Sequence, residues 1–143
     1  MTQEDKELLL KDICARLTYE LKVNVHVIGS SYNEDRDLKP EIAVSLLGND
    51  DICIKPYLRP ISSMTDEEMD KLFDILHIDK NGNDEDWIKI NDDLGIKFFF
   101  PTGKWIENVA ESYDYLNSIH IDYRGLINKG LALVAPEWMY KVD

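Results

Sequence analysis

Lys22-Val23-Asn24-Val25-His26-Val27-Ile28-Gly29 is the stretch that decides the fold, because its polar and apolar side chains alternate. Its three valines share one face, and Lys22, Asn24 and His26 share the other. A period of two puts successive side chains on opposite faces of an extended chain, so that one face can be buried while the other is solvated. The stretch therefore predicts a half-buried β-strand and, with it, a sheet.

The residues that follow predict two more strands. Residues 30–40 are polar and are expected to form a loop. Residues 41–47 place an isoleucine, a valine and a leucine at alternate positions, as a strand does. Residues 48–51, Gly-Asn-Asp-Asp, supply turn chemistry before a third strand at residues 52–55. These two strands are predicted to pair as an antiparallel hairpin.

Three helices are predicted from capping signals and from apolar residues at helical spacing. The first covers residues 3–17, with Thr2 as its N-cap. The second begins at a capping box formed by Thr65 and Glu68, and the third opens at residues 101–103. The apolar faces comprise Leu9, Leu10, Ile13, Cys14 and Leu17 in the first helix, Met69, Leu72, Phe73 and Leu76 in the second, and Ile106, Val109, Ala110, Tyr113 and Leu116 in the third.

The remaining segments complete an α+β pattern. Residues 55–64 are predicted to leave the sheet because they contain two prolines. Two short strands are expected at residues 87–90 and 96–100, and a short helical turn is expected to stop at Gly130. The mixture predicts an α+β fold with a single small antiparallel sheet packed against about three helices. Length favours one globular domain over residues 1–143.

The charge of the chain excludes several classes of partner. There are 28 acidic and 16 basic residues, so the formal net charge is −12 at pH 7. Such a chain is repelled by phosphate backbones and anionic membrane surfaces, and its lysines and arginines are scattered singly. Direct nucleic-acid binding is therefore disfavoured. No apolar run exceeds five residues, which predicts a protein without a membrane span.

Cysteines, histidines and acidic loops give no recognisable metal or catalytic site. Cys14 and Cys53 match no metal or redox spacing, which favours free thiols and a cytoplasmic location. No motif for acyl transfer or phosphate binding occurs, and we expect no cofactor and no metal. The loop at residues 84–86, together with residues 92–93, could supply paired carboxylates, although a solvated turn is the commoner role.

Two other patterns argue against a metal. Asp79, Asn81 and Asn83 have the spacing of the first ligands of a calcium loop, but Asp84 stands where glycine is needed and Ile90 where glutamate is needed. The three histidines, His26, His77 and His120, have no metal-ligand spacing.

Two segments are dense in tyrosine, arginine and other polar groups and form a candidate binding patch. Tyrosine and arginine dominate the energetics of protein interfaces, which favours an anchor role for them. The alternative is that Arg59 and Arg124 tie loops to the domain through carbonyls and acidic neighbours. The patch consists of Tyr57, Arg59, His120, Asp122, Tyr123 and Arg124.

The same segments carry a resemblance to a known group of proteins. Residues 55–65, KPYLRPISSMT, and residues 120–132, HIDYRGLINKGLA, preceded by residues 115–117, resemble an uncharacterised family of small proteins encoded in gut bacteria and their prophages. The resemblance covers most of the chain from Lys55 onward. Tyr115 stands where that family commonly has tryptophan, and Trp138 where it has glycine. The resemblance implies a phage-linked accessory role and carries no activity, cofactor or catalytic residue.

Together these features predict a non-enzymatic accessory protein that binds another protein. One alternative is that its acidic surface mimics nucleic acid and occupies a DNA-binding protein. A second alternative is a small-molecule hydrolase or transferase with an Asp/His/Arg pocket formed by the candidate patch. A third is an assembly component that forms a homo-oligomer.

Overall fold

The computed structural model describes residues 1–48, 50–77, 87–91, 95–99 and 106–140. The chain forms two compact units, each with its own hydrophobic core. The first unit comprises Met1–Leu58 and Leu126–Asp143, and the second comprises Arg59–Gly125. That residues 1–143 behave as a single domain stays a prediction.

Within the described residues, α-helices and strands are mixed along the chain, with one 3-10 turn at Ile61–Ser63. In chain order the elements are α1 (Gln3–Ala15), β1 (Lys22–Val27), β2 (Asn33–Asp37), α2 (Pro40–Gly48), β3 (Ile52–Leu58), α3 (Asp66–Leu76), β4 (Trp87–Asn91), β5 (Gly95–Phe99), α4 (Ile106–Ser118) and β6 (Leu133–Val134). The predicted α+β class is confirmed. None of these helices is long and apolar enough to cross a membrane.

The first unit is built on an open four-stranded sheet of order β2-β1-β3-β6. Strand β1 is antiparallel to both β2 and β3, whereas β6 is parallel to β3, so the sheet is mixed and mostly antiparallel. The alternation in β1 has its predicted effect at Val23, which is fully buried while Asn24 on the opposite face is half-exposed; Val25 and Val27 are only half-buried. Its apolar face packs in a core with residues from α1 and α2, among them Leu9, Ile13 and Leu46.

Residues 41–47 form helix α2, so the predicted strand and its hairpin with residues 52–55 are wrong. The apolar residues of this run fit the two-residue period of a strand and also the 3.6-residue period of a helix. The helix forms, burying Ala43 and Leu46 and leaving Val44 63% exposed. Pro40 occupies the first helical position, where its missing N–H has no partner to lose. Strand β3 pairs with β1 instead of with residues 41–47.

Strand β2 lies in a segment that was predicted to be loop. All five of its side chains are exposed, so it has no buried face for a sequence pattern to reveal. It is held by its ladder to β1 and by an ion pair between Lys22 and Asp37. Charged side chains on an edge strand discourage pairing with other chains, which suits the sequence Asn-Glu-Asp-Arg-Asp.

Strand β3 runs through Pro56 to Leu58, so the prediction that the chain leaves the sheet at residue 55 is wrong. Pro56 lies opposite Val23. Odd-numbered residues of β1 direct their backbone groups toward β2, since Val27 N–H donates to the Tyr32 carbonyl at 3.2 Å. Pro56 therefore occupies a position that does not bond to β1, and its missing N–H interrupts no bond of that ladder.

Two of the three predicted helix starts are confirmed, and the end of the first helix is shifted. The Thr2 hydroxyl accepts from Asp5 N–H at 3.1 Å, and the Asp5 carboxylate accepts from Thr2 N–H at 3.1 Å. Thr65 and Glu68 make the same reciprocal pair at the start of α3. Each box satisfies amides that a helix leaves unbonded at its N-terminus. Helix α1 ends at Ala15, two residues before its predicted end.

The second unit contains α3, α4 and an antiparallel ribbon of β4 and β5. Its core includes Leu72, Leu116 and Ile121. Three expectations lie outside the described residues: the calcium-like spacing of residues 79–84, the acidic loop of residues 84–86 and 92–93, and the helix start at residues 101–103.

The short helical turn predicted through Leu126 and Ile127 is a hydrogen-bonded turn over residues 126–130, in which Gly130 N–H donates to the Ile127 carbonyl at 3.0 Å. Its predicted stop at Gly130 is borne out. Gly130 has a φ of +74°, and the following Leu131 N–H bonds back to the Leu126 carbonyl at 2.9 Å.

Candidate functional site

The C-terminal segment, residues 133–140, is fastened to the sheet of the first unit at two places. Strand β6 pairs with the end of β3, and Ala135 N–H extends the pairing by donating to the Leu58 carbonyl at 2.8 Å. A turn then begins at Pro136, and a hydrogen bond from Met139 N–H to the Pro136 carbonyl at 3.0 Å closes it. The turn brings the side chain of Tyr140 back to the sheet.

Tyr140 inserts its hydroxyl between strands β1 and β3. The hydroxyl accepts from Lys22 N–H at 3.0 Å and donates to the Tyr57 carbonyl at 2.7 Å. Val23 pairs with Pro56, so the same register would place Lys22 opposite Tyr57. The hydroxyl therefore bridges the pair of residues that would come next between the two strands. Burial raises the pKa of Tyr140 to about 12. The segment is therefore held at both ends.

Trp138 lies between these two attachments and is 72% exposed. It lines a cavity of about 530 Å³ together with Ile42 and Met139, and we call this cavity the Trp138 groove. The charged residues of the Trp138 groove are Lys22, Asp35, Arg36, Asp37 and Lys39. An indole exposed on a fixed segment is a typical interface anchor, because it can bury a large area with little loss of conformational freedom.

Basic side chains outnumber acidic ones by three to two in the Trp138 groove, although the chain is acidic overall. Lys22 pairs with Asp37, which lowers the pKa of that carboxyl through the hydrogen bond from the ammonium group. Arg36 Nε lies 3.4 Å from Glu34 Oε2. Lys39 makes no ion pair with any residue that the structure describes. The charge of Lys39 adds to the effect of Lys22 on the pKa of Asp37 without ion-pair contact. The Trp138 groove therefore offers an apolar contact next to a lysine that no described carboxylate contacts directly.

Tyr57, the first residue of the predicted patch, lies on the outer face of the sheet. Its hydroxyl donates to Asp35 Oδ1 at 2.8 Å, and Asn24 Nδ2 donates to the same oxygen at 3.0 Å. Burial and the bond to Asp35 raise the pKa of Tyr57. A shallow cavity of about 590 Å³ covers this face, and Asp35 lines both this cavity and the Trp138 groove.

Arg59, in the second unit, is engaged within its own unit. Its guanidinium forms a two-pronged pair with Glu68 at 2.7 and 2.8 Å, and also donates to the carbonyls of Ser63 and Ile119. The bond from Arg59 is the main reason that the pKa of Glu68 is lowered. This is the loop-tying geometry that the sequence left as an alternative to partner binding.

The structure brings the other four residues of the patch together with Arg59. Arg59 N–H donates to the His120 carbonyl at 2.8 Å, and Asp122 N–H donates to the Arg59 carbonyl at 2.9 Å. The side chains of His120, Asp122 and Tyr123 are buried, and the Arg124 guanidinium stacks 5.0 Å from the centre of the Tyr123 ring. A role for the six residues in binding stays a prediction.

The described residues show no metal site, and the comparisons give no relatives. No group of three or more histidine, cysteine or acidic residues in the described part of the chain could hold a metal ion. Cys14 and Cys53 are both free thiols. No protein-family model, curated protein or solved structure matches the chain.

The sequence did not predict the Trp138 groove, because its members come from four separate segments. Lys22 and Arg36 belong to strands, Ile42 to α2 and Trp138 to the tail. The available signal was a lone tryptophan beyond Pro136, in a stretch with no helical or strand period to bury it.

Proposed function

We propose that this protein is a non-enzymatic accessory protein and that its Trp138 groove binds another protein. The observation that carries the proposal is an indole 72% exposed on a segment fastened to the sheet on both sides. A fixed segment loses little conformational freedom on binding, so more of the contact energy is available for affinity. A phage-linked role, implied by the resemblance of residues 55–65 and 120–132, and a cytoplasmic location, favoured by the cysteine pattern, belong to the same proposal.

The chemistry of the groove defines the kind of partner. Ile42, Met139 and Trp138 favour an apolar side chain on the partner, and Lys39 favours a carboxylate beside it. The groove mixes three basic with two acidic residues, whereas a nucleic-acid mimic needs clustered carboxylates, so this surface supports an ordinary protein partner over nucleic-acid mimicry.

The enzyme alternative receives less support. It requires a pocket lined by at least two of Arg59, His120, Asp122, Arg124 and the acidic loop residues. Of this set the structure describes Arg59, His120, Asp122 and Arg124, and none of these four lines the Trp138 groove or the cavity over the outer face of the sheet.

Site-specific photo-crosslinking in the cell that encodes the protein tests the proposal. A photoreactive amino acid replaces Trp138 in one variant and Val44 in the matched control, since Val44 is similarly exposed but does not line the groove. We expect a crosslinked protein at position 138 that is absent at position 44. Excess unlabelled protein should compete for it, and excess Trp138→Ala protein should not.

Two outcomes would contradict the proposal. One is equal crosslinking at both positions, or none above background at position 138. The other is a crosslink at position 138 only to a second copy of this chain, which would make the groove a self-interface. Thermal unfolding of the Trp138→Ala protein serves as the folding control and is expected to match that of the wild type, because the side chain buries little area.

A further inference from the structure

A separate cavity of about 670 Å³ lies in the first unit near the start of α1, the end of α2 and the start of β3. Leu46 and Leu131 are buried at its floor, and Ile52 is half-buried beside them. Ile28, 58% exposed, lies at its rim. Its volume is that of a small-molecule site, and its lining combines apolar side chains with charged ones. We call it the lysine pocket, because Lys6, Lys55 and Lys129 also line it.

The carboxylates of the lysine pocket are already engaged. Asp50 accepts from the Lys6 ammonium at 3.2 Å. Asp5 accepts from Thr2 N–H, and this bond is the main reason that its pKa is lowered. Among the residues that the structure describes, Lys55 and Lys129 form no ion pair. Lys129 is near enough to Asp5 for its charge to add to the lowering of that pKa. No described carboxylate lies in ion-pair contact with Lys55 or Lys129, so two cations remain available beside an apolar floor, in a chain of net charge −12.

We propose that the lysine pocket binds a small organic anion with an apolar body, of the kind represented by a medium-chain carboxylate. The apolar body would cover Leu46, Ile52 and Leu131, and the anionic group would lie between Lys55 and Lys129. Lysine supplies a compact point charge without the fixed planar geometry of arginine, so the pocket selects for negative charge more than for one anion geometry. This inference does not depend on the Trp138 groove.

Titration calorimetry with three ligands of equal chain length tests the charge requirement. Octanoate is expected to bind, 1-octanol to bind at least about tenfold more weakly, and octylamine to give no saturable heat. Equal binding of octanoate and octylamine would overturn the proposal. So would the absence of saturable octanoate binding up to about 1 mM.

Variants locate the site. The double variant Lys55→Gln/Lys129→Gln is expected to weaken octanoate binding about tenfold, and Lys11→Gln, an exposed lysine of α1 outside the pocket, to leave it unchanged. Ile28→Ser should weaken binding about threefold, whereas Val44→Ser should not. These positions are exposed or half-exposed, so each variant is expected to fold, which circular dichroism verifies. Equal effects of targeted and control variants would contradict the assignment.

A vesicle experiment separates a free anion from a lipid headgroup. The wild-type protein is sedimented with vesicles containing an anionic phospholipid, in parallel with the double lysine variant. A free ligand predicts that neither protein sediments with the vesicles. Sedimentation that requires Lys55 and Lys129 would overturn the proposal in favour of a membrane surface.

Discussion

The Tyr140 hydroxyl accepts a hydrogen bond from Lys22 N–H at 3.0 Å and thereby occupies a position in the ladder between β1 and β3. The same hydroxyl donates to a carbonyl of β3, so one side chain replaces a direct bond between two strands. This geometry joins the tail that carries Trp138 to the sheet. The position of the exposed indole is therefore coupled to the stability of the first unit.

Tyr140→Phe removes the bridge and keeps the ring. We expect the free energy of unfolding to fall by about 1–2 kcal/mol, because two backbone groups lose a partner in a part-buried position. Denaturant unfolding measures the change. Tyr32→Phe is the matched control, since its hydroxyl bonds Glu34 at an exposed position, and a loss below about 0.5 kcal/mol is expected there. Equal losses in the two variants would argue against the bridge.

The raised pKa of Tyr140 predicts a loss of stability in alkali. The folded value is about 12 and the ordinary value is 10.0, so the native state favours the neutral phenol. The stability that the buried neutral phenol contributes is fully present below pH 10 and is lost as the pH rises through about 12. Unfolding free energies measured across this range should fall more steeply for the wild type than for Tyr140→Phe. Parallel curves would contradict the assigned environment.

The pairing of Arg59 with Glu68 predicts sensitivity to acid. The pKa of Glu68 is lowered from 4.5 chiefly by the hydrogen bond from Arg59, so this contribution is present above about pH 4.5 and is lost as the pH falls through the native value. Glu68→Gln should cost about 1–2 kcal/mol at neutral pH and reduce the acid dependence. Glu67→Gln, at the exposed neighbouring position, should change neither quantity. An acid profile unaltered by Glu68→Gln would disprove the linkage.

Asp12 and Arg16 form an ion pair with both side chains fully buried, at 3.0 and 3.1 Å. Asp12→Asn should destabilise the protein by about 3–5 kcal/mol, because it leaves the guanidinium charge buried without its counter-charge. The double variant Asp12→Leu/Arg16→Met should recover much of that loss. Denaturant unfolding of the single and double variants measures the coupling, and additive losses would contradict it.

The elements that the sequence predicted well are those with a local signal. Each of two helix starts is marked by a threonine, Thr2 or Thr65, and a carboxylate three residues later. Strand β1 is marked by polar and apolar residues that alternate without interruption in its sequence. Residues 41–47 were misassigned because their apolar run fits either period, and only burial in the tertiary structure selects the helix. The sequence does not predict strand β2, because none of its side chains is buried and no alternating pattern marks it.

The candidate site was harder to predict than the fold. The patch from Tyr57 to Arg124 was chosen by residue type, and burial of its central side chains is a tertiary property that residue type does not reveal. The Trp138 groove depends on β6 adding to β3 in parallel and on the Tyr140 bridge. Both are long-range contacts, and no local pattern encodes them.

The most direct test of the central claim uses the partner protein captured by crosslinking at position 138. The dissociation constant of its complex is measured with the wild type and with Trp138→Ala. The proposed anchor predicts that this constant rises by about thirtyfold or more in Trp138→Ala and is unchanged in Val44→Ala. An unchanged constant for Trp138→Ala, with folding intact, would contradict the claim that the Trp138 groove binds another protein.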